Sequence, residues 1–180
     1  MNHHVDDALF MVRVVVGLTI ALHGMNKVKG GLAGTGRWFS GIGFRWGYQN
    51  AIVAATFEIG GGLFFAAGLL TPLAAAAIVG LMTVALITSH WKVGFFVFRA
   101  GEGIEYVLVL AVIAIAIAAI GPGRWSLDHG FGIIDTGYQS GWAGFYLAAG
   151  LGIGGGIAQL LACWKPPAGA LSFGSKTKQK

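Results

Sequence analysis

The chain has 180 residues, 56% of them hydrophobic and only 11% charged. A soluble domain carries about 25% charged residues, so this sequence has too few to cover a water-facing surface. The formal charge of +5 is unevenly spread, and ten of the twelve Lys and Arg fall in 27–45, 92–99 and 165–180. Such grouping marks one side of a membrane, not a nucleic-acid surface, which needs a basic face on a soluble fold. The single cysteine, Cys163, excludes an intramolecular disulfide, a CxxC redox pair, covalent c-type haem attachment and a Cys-ligated iron–sulfur cluster.

Five apolar runs approach the length needed to cross a bilayer. The first span is expected at 8–23. Asp6 and Asp7 precede it, where they complement the positive end of a helix dipole. The N-terminus is acidic where a signal peptide is basic, and no small-residue cleavage site follows, so this run reads as a mature helix. Arg13 is expected to snorkel to the nearer interface. The segment 30–50 is rich in glycine, with Trp38, Phe39, Phe44, Trp46 and Tyr48 beside Arg37 and Arg45. Rings next to cations favour the headgroup layer, so it reads as an interfacial helix or re-entrant loop.

The second span, 51–70, contains Glu58. The third, 73–90, follows Thr71-Pro72, and Pro72 suits the start of a helix. The polar stretch HWKVGFFVFRAGEGIEY occupies 90–106 and leads into the fourth span, 104–120, which Gly121-Pro122-Gly123 stops. Ser126-Leu127-Asp128 is expected to form a turn or cap. A fifth span is expected over 142–163. Gly144, Ala148, Gly152 and Gly156 recur along it every four residues, and with Gly61 they are the candidate helix-packing positions. Residues 165–180 read as a basic, disordered tail.

These runs predict an all-α polytopic membrane protein: a four-helix transmembrane bundle plus a fifth, C-terminal transmembrane helix. Residues 1–128 hold the four-helix domain, 129–164 the linker and fifth helix, and 165–180 the tail. Five crossings put the chain ends on opposite sides. By the positive-inside rule the N-terminus is outside and the C-terminus cytoplasmic, in the inner (cytoplasmic) membrane.

Alternation of the spans also gathers polar side chains in one half of the bilayer, leaving the other almost purely apolar. His23, Lys27, Glu58, His90, Arg99, Glu102 and Glu105 are the candidate ligand-binding residues. Glu58 needs a partner, for which His23, Lys27 or Arg99 is available. Arg99 can also pair with Glu102 or Glu105. Four readings suit the cluster. It is a hydrogen-bond network holding the helices in register, or a quinone site in which carboxylate and imidazole exchange protons against an apolar wall. A His2Glu2 metal site lacks any Glu-x-x-His pair, and a b-type haem between His23 and His90 rests on two helix-end histidines alone. No catalytic residue and no metal ligand is assigned.

Several pieces, in order and spacing, resemble the DoxX family of bacterial and archaeal membrane proteins. They are Leu22-His23-Gly24 with Lys27, Phe57-Glu58 before Gly61 and Gly62, and Ala67-Gly68-Leu69-Leu70-Thr71. To these add His90, Gly94-Phe95-Phe96, Gly103-Ile104-Glu105-Tyr106 and Gly121-Pro122-Gly123-Arg124-Trp125-Ser126-Leu127-Asp128. The resemblance implies a four-helix membrane bundle. It also implies a role beside a membrane redox system, since the family takes its name from a subunit of an archaeal thiosulfate:quinone oxidoreductase. The chain departs from the family at Thr71-Pro72, where an arginine is often found, and in its fifth helix and tail. From this the expected role is an oxidoreductase-associated subunit with a quinone or lipid-like ligand, without a redox-cofactor motif of its own. The alternative is a non-catalytic subunit of a larger membrane complex. The expected partners are the lipid bilayer and other membrane subunits, with no nucleic acid.

Overall fold

The computed structural model describes residues 3–132 and 137–174. Among them the chain is helical throughout, with one isolated antiparallel bridge, Phe44 to Trp164. Helix α1 (His3–Lys29) is followed by the short α2 (Leu32–Gly41) and by α3 (Gly47–Ala67). Helix α4 (Thr71–Ala85) continues through a π-helical turn (Leu86–His90) and a 3-10 turn (Trp91–Val93). Next come α5 (Glu105–Ile120), the single turn α6 (Leu127–Gly130), and α7 (Gly141–Tyr146). A second π turn (Leu147–Leu151) joins α7 to α8 (Gly152–Cys163).

Four helices are long and apolar enough to cross a membrane: His3–Lys29, Gly47–Ala67, Thr71–Val93 and Gly141–Cys163. Helix α5 has 16 residues, or about 24 Å at 1.5 Å per residue, against a hydrocarbon thickness of about 30 Å. The shortest of the five expected spans is therefore the fourth, not the added C-terminal one. Its limits are local: Gly101, Glu102 and Gly121 all have positive φ, and Pro122 has no N–H to continue a helix. It still runs from one end of the bundle to the other, from Gly94 and Phe95, which bond Ile104 and Glu105, to Gly123 beside Leu9.

Small residues set the packing. Gly17 of α1 lies against the Gly62 carbonyl and Ala66 of α3, and Gly24 against Glu58 and Ala55. A side chain at either glycine would force these backbones apart. Gly61 faces Ala77 of α4 instead. Helix α8 packs on α4 through Gly152, against Val79 and Ala76, and Gly156, against Gly80 and Thr83. Gly144 meets the Ala118 carbonyl of α5, and Ala148 is fully buried. The main apolar core joins α1, α4 and α5 through Ile20, Ile78, Val79 and Ala114, with Phe65 of α3. Outward faces are apolar as well: Leu161 is 83% exposed. An apolar exterior over an apolar interior is what lipid permits and water does not.

The expected interfacial segment is the short helix α2 and the turn after it. Phe39 is buried and meets Phe44 edge to face at 5.0 Å, while Trp38, Trp46 and Tyr48 stay exposed. The expected tail is tied down over its first ten residues. Lys165 N–H donates to the Gly43 carbonyl at 2.9 Å, the Trp91 indole donates to the Leu171 carbonyl at 3.2 Å, and the Phe173 ring lies 4.8 Å from that of Trp91. The rest of the expected tail, 175–180, lies outside the described residues, as do 133–136 of the linker.

Candidate functional site

The helices gather two polar clusters, one at each end of the bundle. The basic end holds the close of α1, the 94–104 loop, and the segments flanking α2 and α8. There Lys27, in the last turn of α1, pairs with Glu58 of α3 through Oε1. Among the described residues this is the only ion pair between side chains. Gly24 brings α1 and α3 close enough for a lysine one turn later to reach Glu58. Glu58 is 8% exposed, and its Oε2 is buried with no hydrogen-bond partner among the described residues. A buried carboxylate oxygen left bare is costly, so it marks where a ligand or water would be held.

Across from this pair, the π turn in α4 aims His90 at the 94–104 loop. π turns in α-helices recur at functional sites. His90 Nδ1 lies 2.6 Å from the Glu102 carbonyl. A carbonyl only accepts, so Nδ1 carries the proton and neutral imidazole leaves Nε2 as an acceptor. Glu102 sits at φ 56, a conformation costly for a residue with a Cβ.

A cavity of about 770 Å³ connects these groups. His23, Lys27, Glu58, His90 and Glu102 all line it, and so five of the seven candidates share one space. Arg99 and Glu105 do not line it. Arg99 donates to the Val93 carbonyl at 3.2 Å and lies over the Phe96 ring at 5.7 Å, paired with neither Glu102 nor Glu105. Glu105 accepts from Val97 N–H at 3.1 Å, at the N-terminus of α5. Both hold the loop in shape. The walls also bring in residues that sequence reading missed: Trp38, Thr88, Ser89, Tyr106 and Gln159. A lone amide in an apolar helix was the available signal for Gln159, which donates to Asn50 Oδ1 at 2.9 Å. Among the described residues no group of three or more His, Cys, Asp or Glu could hold a metal ion.

The opposite, N-terminal end overturns the expectation of an almost purely apolar half. Arg13 does not snorkel. It is fully buried, and its guanidinium donates to the Trp125 carbonyl and packs on Gly68. The Trp125 backbone and the Gly68 turn cover its guanidinium, so it has no path to the interface. Asp128, also fully buried, accepts from Leu70 N (2.7 Å), Thr71 N (2.9 Å) and Thr71 Oγ1 (2.7 Å). It thereby caps the start of α4 from a distant part of the chain, supplying the acceptor that the orphan N–H groups there need. Ser126 caps its own turn, accepting from His129 N at 3.2 Å. Asp6 Oδ1 accepts from Arg124 N at 2.9 Å, and Asp7 from the Trp125 indole at 2.9 Å.

Fold and site together define a polytopic α-helical membrane protein with a cavity among its helices. The family model DoxX matches residues 8–91. That stretch, from α1 to the turns that end α4, is similar to the DoxX domain, a domain of membrane proteins. The pieces at 103–106 and 121–128 lie past the match. No curated protein and no solved structure matches the chain.

Proposed function

We propose that the protein binds a lipid-soluble ligand of quinone type in the cavity at the basic end, as the membrane subunit of a redox system. The observation that carries this reading is the buried, unpartnered Glu58 Oε2 at the polar end of an otherwise apolar cavity of about 770 Å³. Ligand pockets are mostly apolar with a few convergent polar groups, at about 300–1,000 Å³. Bound there, a quinone would supply two-electron, two-proton chemistry. The protein's own part is proton handling and orientation. Glu58 Oε2 and His90 Nε2 are two acceptors able to take protons from ring hydroxyls, and Lys27 holds Glu58 in place. The His90–Glu102 contact sets the imidazole tautomer. Electrons come from or go to another component, because the chain carries no redox-cofactor motif of its own. The excess of basic residues at this end supports its facing the cytoplasm.

The test is an anaerobic titration of the purified protein in nanodiscs with the reduced ring, 2,3-dimethoxy-5-methylhydroquinone, whose hydroxyls are the donors that Glu58 Oε2 and His90 Nε2 would accept. Glu58→Gln and His90→Ala are each expected to weaken binding by about 10- to 100-fold, the worth of a hydrogen bond to a charged or buried group. Binding unchanged in both variants would overturn the reading.

A second reading, a non-catalytic subunit that joins a larger complex, is favoured by the helix Gly141–Cys163. Only 22% of its spanning window is buried, the smallest share of the four long helices. Gentle purification separates the two. A stoichiometric partner, with complex activity indifferent to Glu58→Gln and His90→Ala, selects the second.

A further inference from the structure

The cavity is long as well as apolar. Along α4 its lining runs from Leu73 through Ala77, Gly80, Leu81 and Val84 to Thr88. These positions recur at intervals of one, three or four residues, which places them on one face of the helix. From Leu73 to His90 that face extends about 25 Å at 1.5 Å per residue, close to the bilayer's hydrocarbon thickness of about 30 Å. Of the titratable groups that line the cavity, His23, Lys27, His90, Glu102 and Tyr106 lie toward its basic end, and Glu58 lies midway along α3, less than a turn before Gly61, which meets Ala77. The other end is floored by Leu73, Ala76 and Ala77 and walled by Leu151 and Gly155.

A cavity of about 770 Å³ drawn out over this length admits one long, narrow occupant. Helices α3 and α8 both pack on α4 and leave a cleft between them. At the basic end the cleft is closed by Phe39, Ala51, Ala54 and Leu160, which form a second apolar core. Toward the other end Leu73 and Leu151 are half-exposed, as is Phe57 beside Glu58, so the cleft opens sideways. A Cβ built on Gly155 meets no atom within 4 Å. Small side chains there keep a channel open where larger ones would fill it.

We infer that the α3–α8 cleft is a tail channel. It holds the single hydrocarbon tail of the ligand whose head group sits at Glu58 and His90, and it leads the tail's tip toward the bilayer beside Leu73. The inference rests on the proposed head site, and the bare Glu58 Oε2 is the independent feature that places a head at the polar end. The ligand is then an amphiphile with one long alkyl or isoprenoid chain, lying head toward the basic end, and Gly155 is a specificity position.

The experiment uses the full-length protein in nanodiscs under anaerobic conditions and a hydroquinone with a hexadecyl tail bearing a diazirine at its tip. After irradiation, the specific label is the part that excess tail-less 2,3-dimethoxy-5-methylhydroquinone displaces. It is expected on peptides containing 73–77 and 151–155. Gly155→Phe is expected to abolish label there and to weaken binding of the tailed compound more than that of the tail-less one. Gly154→Phe is the control, because Gly154 also faces open space but does not line the cavity. It is expected to keep the wild-type pattern. Gly155→Leu serves in place of Gly155→Phe if thermal unfolding shows that variant misfolded. Displaceable label spread over outward faces such as Val112 and Leu161, or label indifferent to Gly155→Phe, would overturn the tail channel and leave the head site standing. No displaceable label in the wild type, with no binding of the tail-less compound, would remove the head site and the inference together.

Discussion

The two ends of the bundle bury charge in different ways. At the N-terminal end Asp128 is surrounded by backbone and hydroxyl donors, and Arg13 is pressed against Trp125 and Gly68. At the basic end the Lys27–Glu58 pair and His90 border open space. Among the described residues both ends carry buried atoms without a hydrogen-bond partner, Arg13 Nη1 at one and Glu58 Oε2 at the other. The second belongs to a residue that lines the cavity of about 770 Å³, and the first does not. A buried charge alone therefore does not mark a site. What separates the two is whether the group's neighbours are protein or room.

The comparison is most exposed at Asp128. Asp128→Ala would leave three donors at the start of α4 without an acceptor and Arg13 without its nearby counter-charge. The expected loss is about 3–5 kcal/mol, as for breaking a buried charged network, read as unfolding in detergent by heat or denaturant. A loss below about 1 kcal/mol would mean that this end is not a structural lock.

The basic end should respond less, and asymmetrically. Lys27→Met leaves the Glu58 carboxyl buried without its partner, and is expected to cost about 2–3 kcal/mol in the same unfolding assay. Glu58→Gln should cost about 1 kcal/mol or less, because the Lys27 side chain is 24% exposed and its ammonium can turn toward solvent. Equal costs would show that Glu58 is held by more than this pair.

The smallest effect is expected at Glu102. At φ 56 the backbone favours glycine, so Glu102→Gly should raise stability by up to about 1 kcal/mol. The same change removes a carboxylate from the cavity wall. Raised stability with altered binding of the hydroquinone probe would make Glu102 a position where strain is kept for the site. Raised stability with unaltered binding would confine its role to the loop.

Much of the fold was legible beforehand, for reasons visible in particular residues. Runs such as 104–120 are apolar on every side, and in lipid a backbone so dressed has to satisfy its hydrogen bonds as a helix. Gly121-Pro122-Gly123 stops α5 because Gly121 takes φ 106 and Pro122 has no donor. The spacing of Gly152 and Gly156 was readable because two glycines four apart lie on one helix face. Helix starts were less legible. The expected first span began at 8, whereas α1 begins at His3, since helices continue past the hydrocarbon edge into polar residues. Arg13 is buried because Trp125 and the Gly68 turn fold over its guanidinium, which no span boundary shows.

The sequence by itself determined that this is an all-helical membrane protein, roughly where its helices run, and that the end with most of its lysines and arginines differs from the other. Those properties follow from composition and from periods of three and four residues, which act locally. Only the tertiary structure decided that Lys27 is the partner of Glu58, that Arg99 and Glu105 turn away from the cavity, and that Asp128 caps α4. These are meetings between residues far apart in the chain. They depend on how closely glycines let the helices approach and on which way each turn aims its side chains, and no local pattern carries that information.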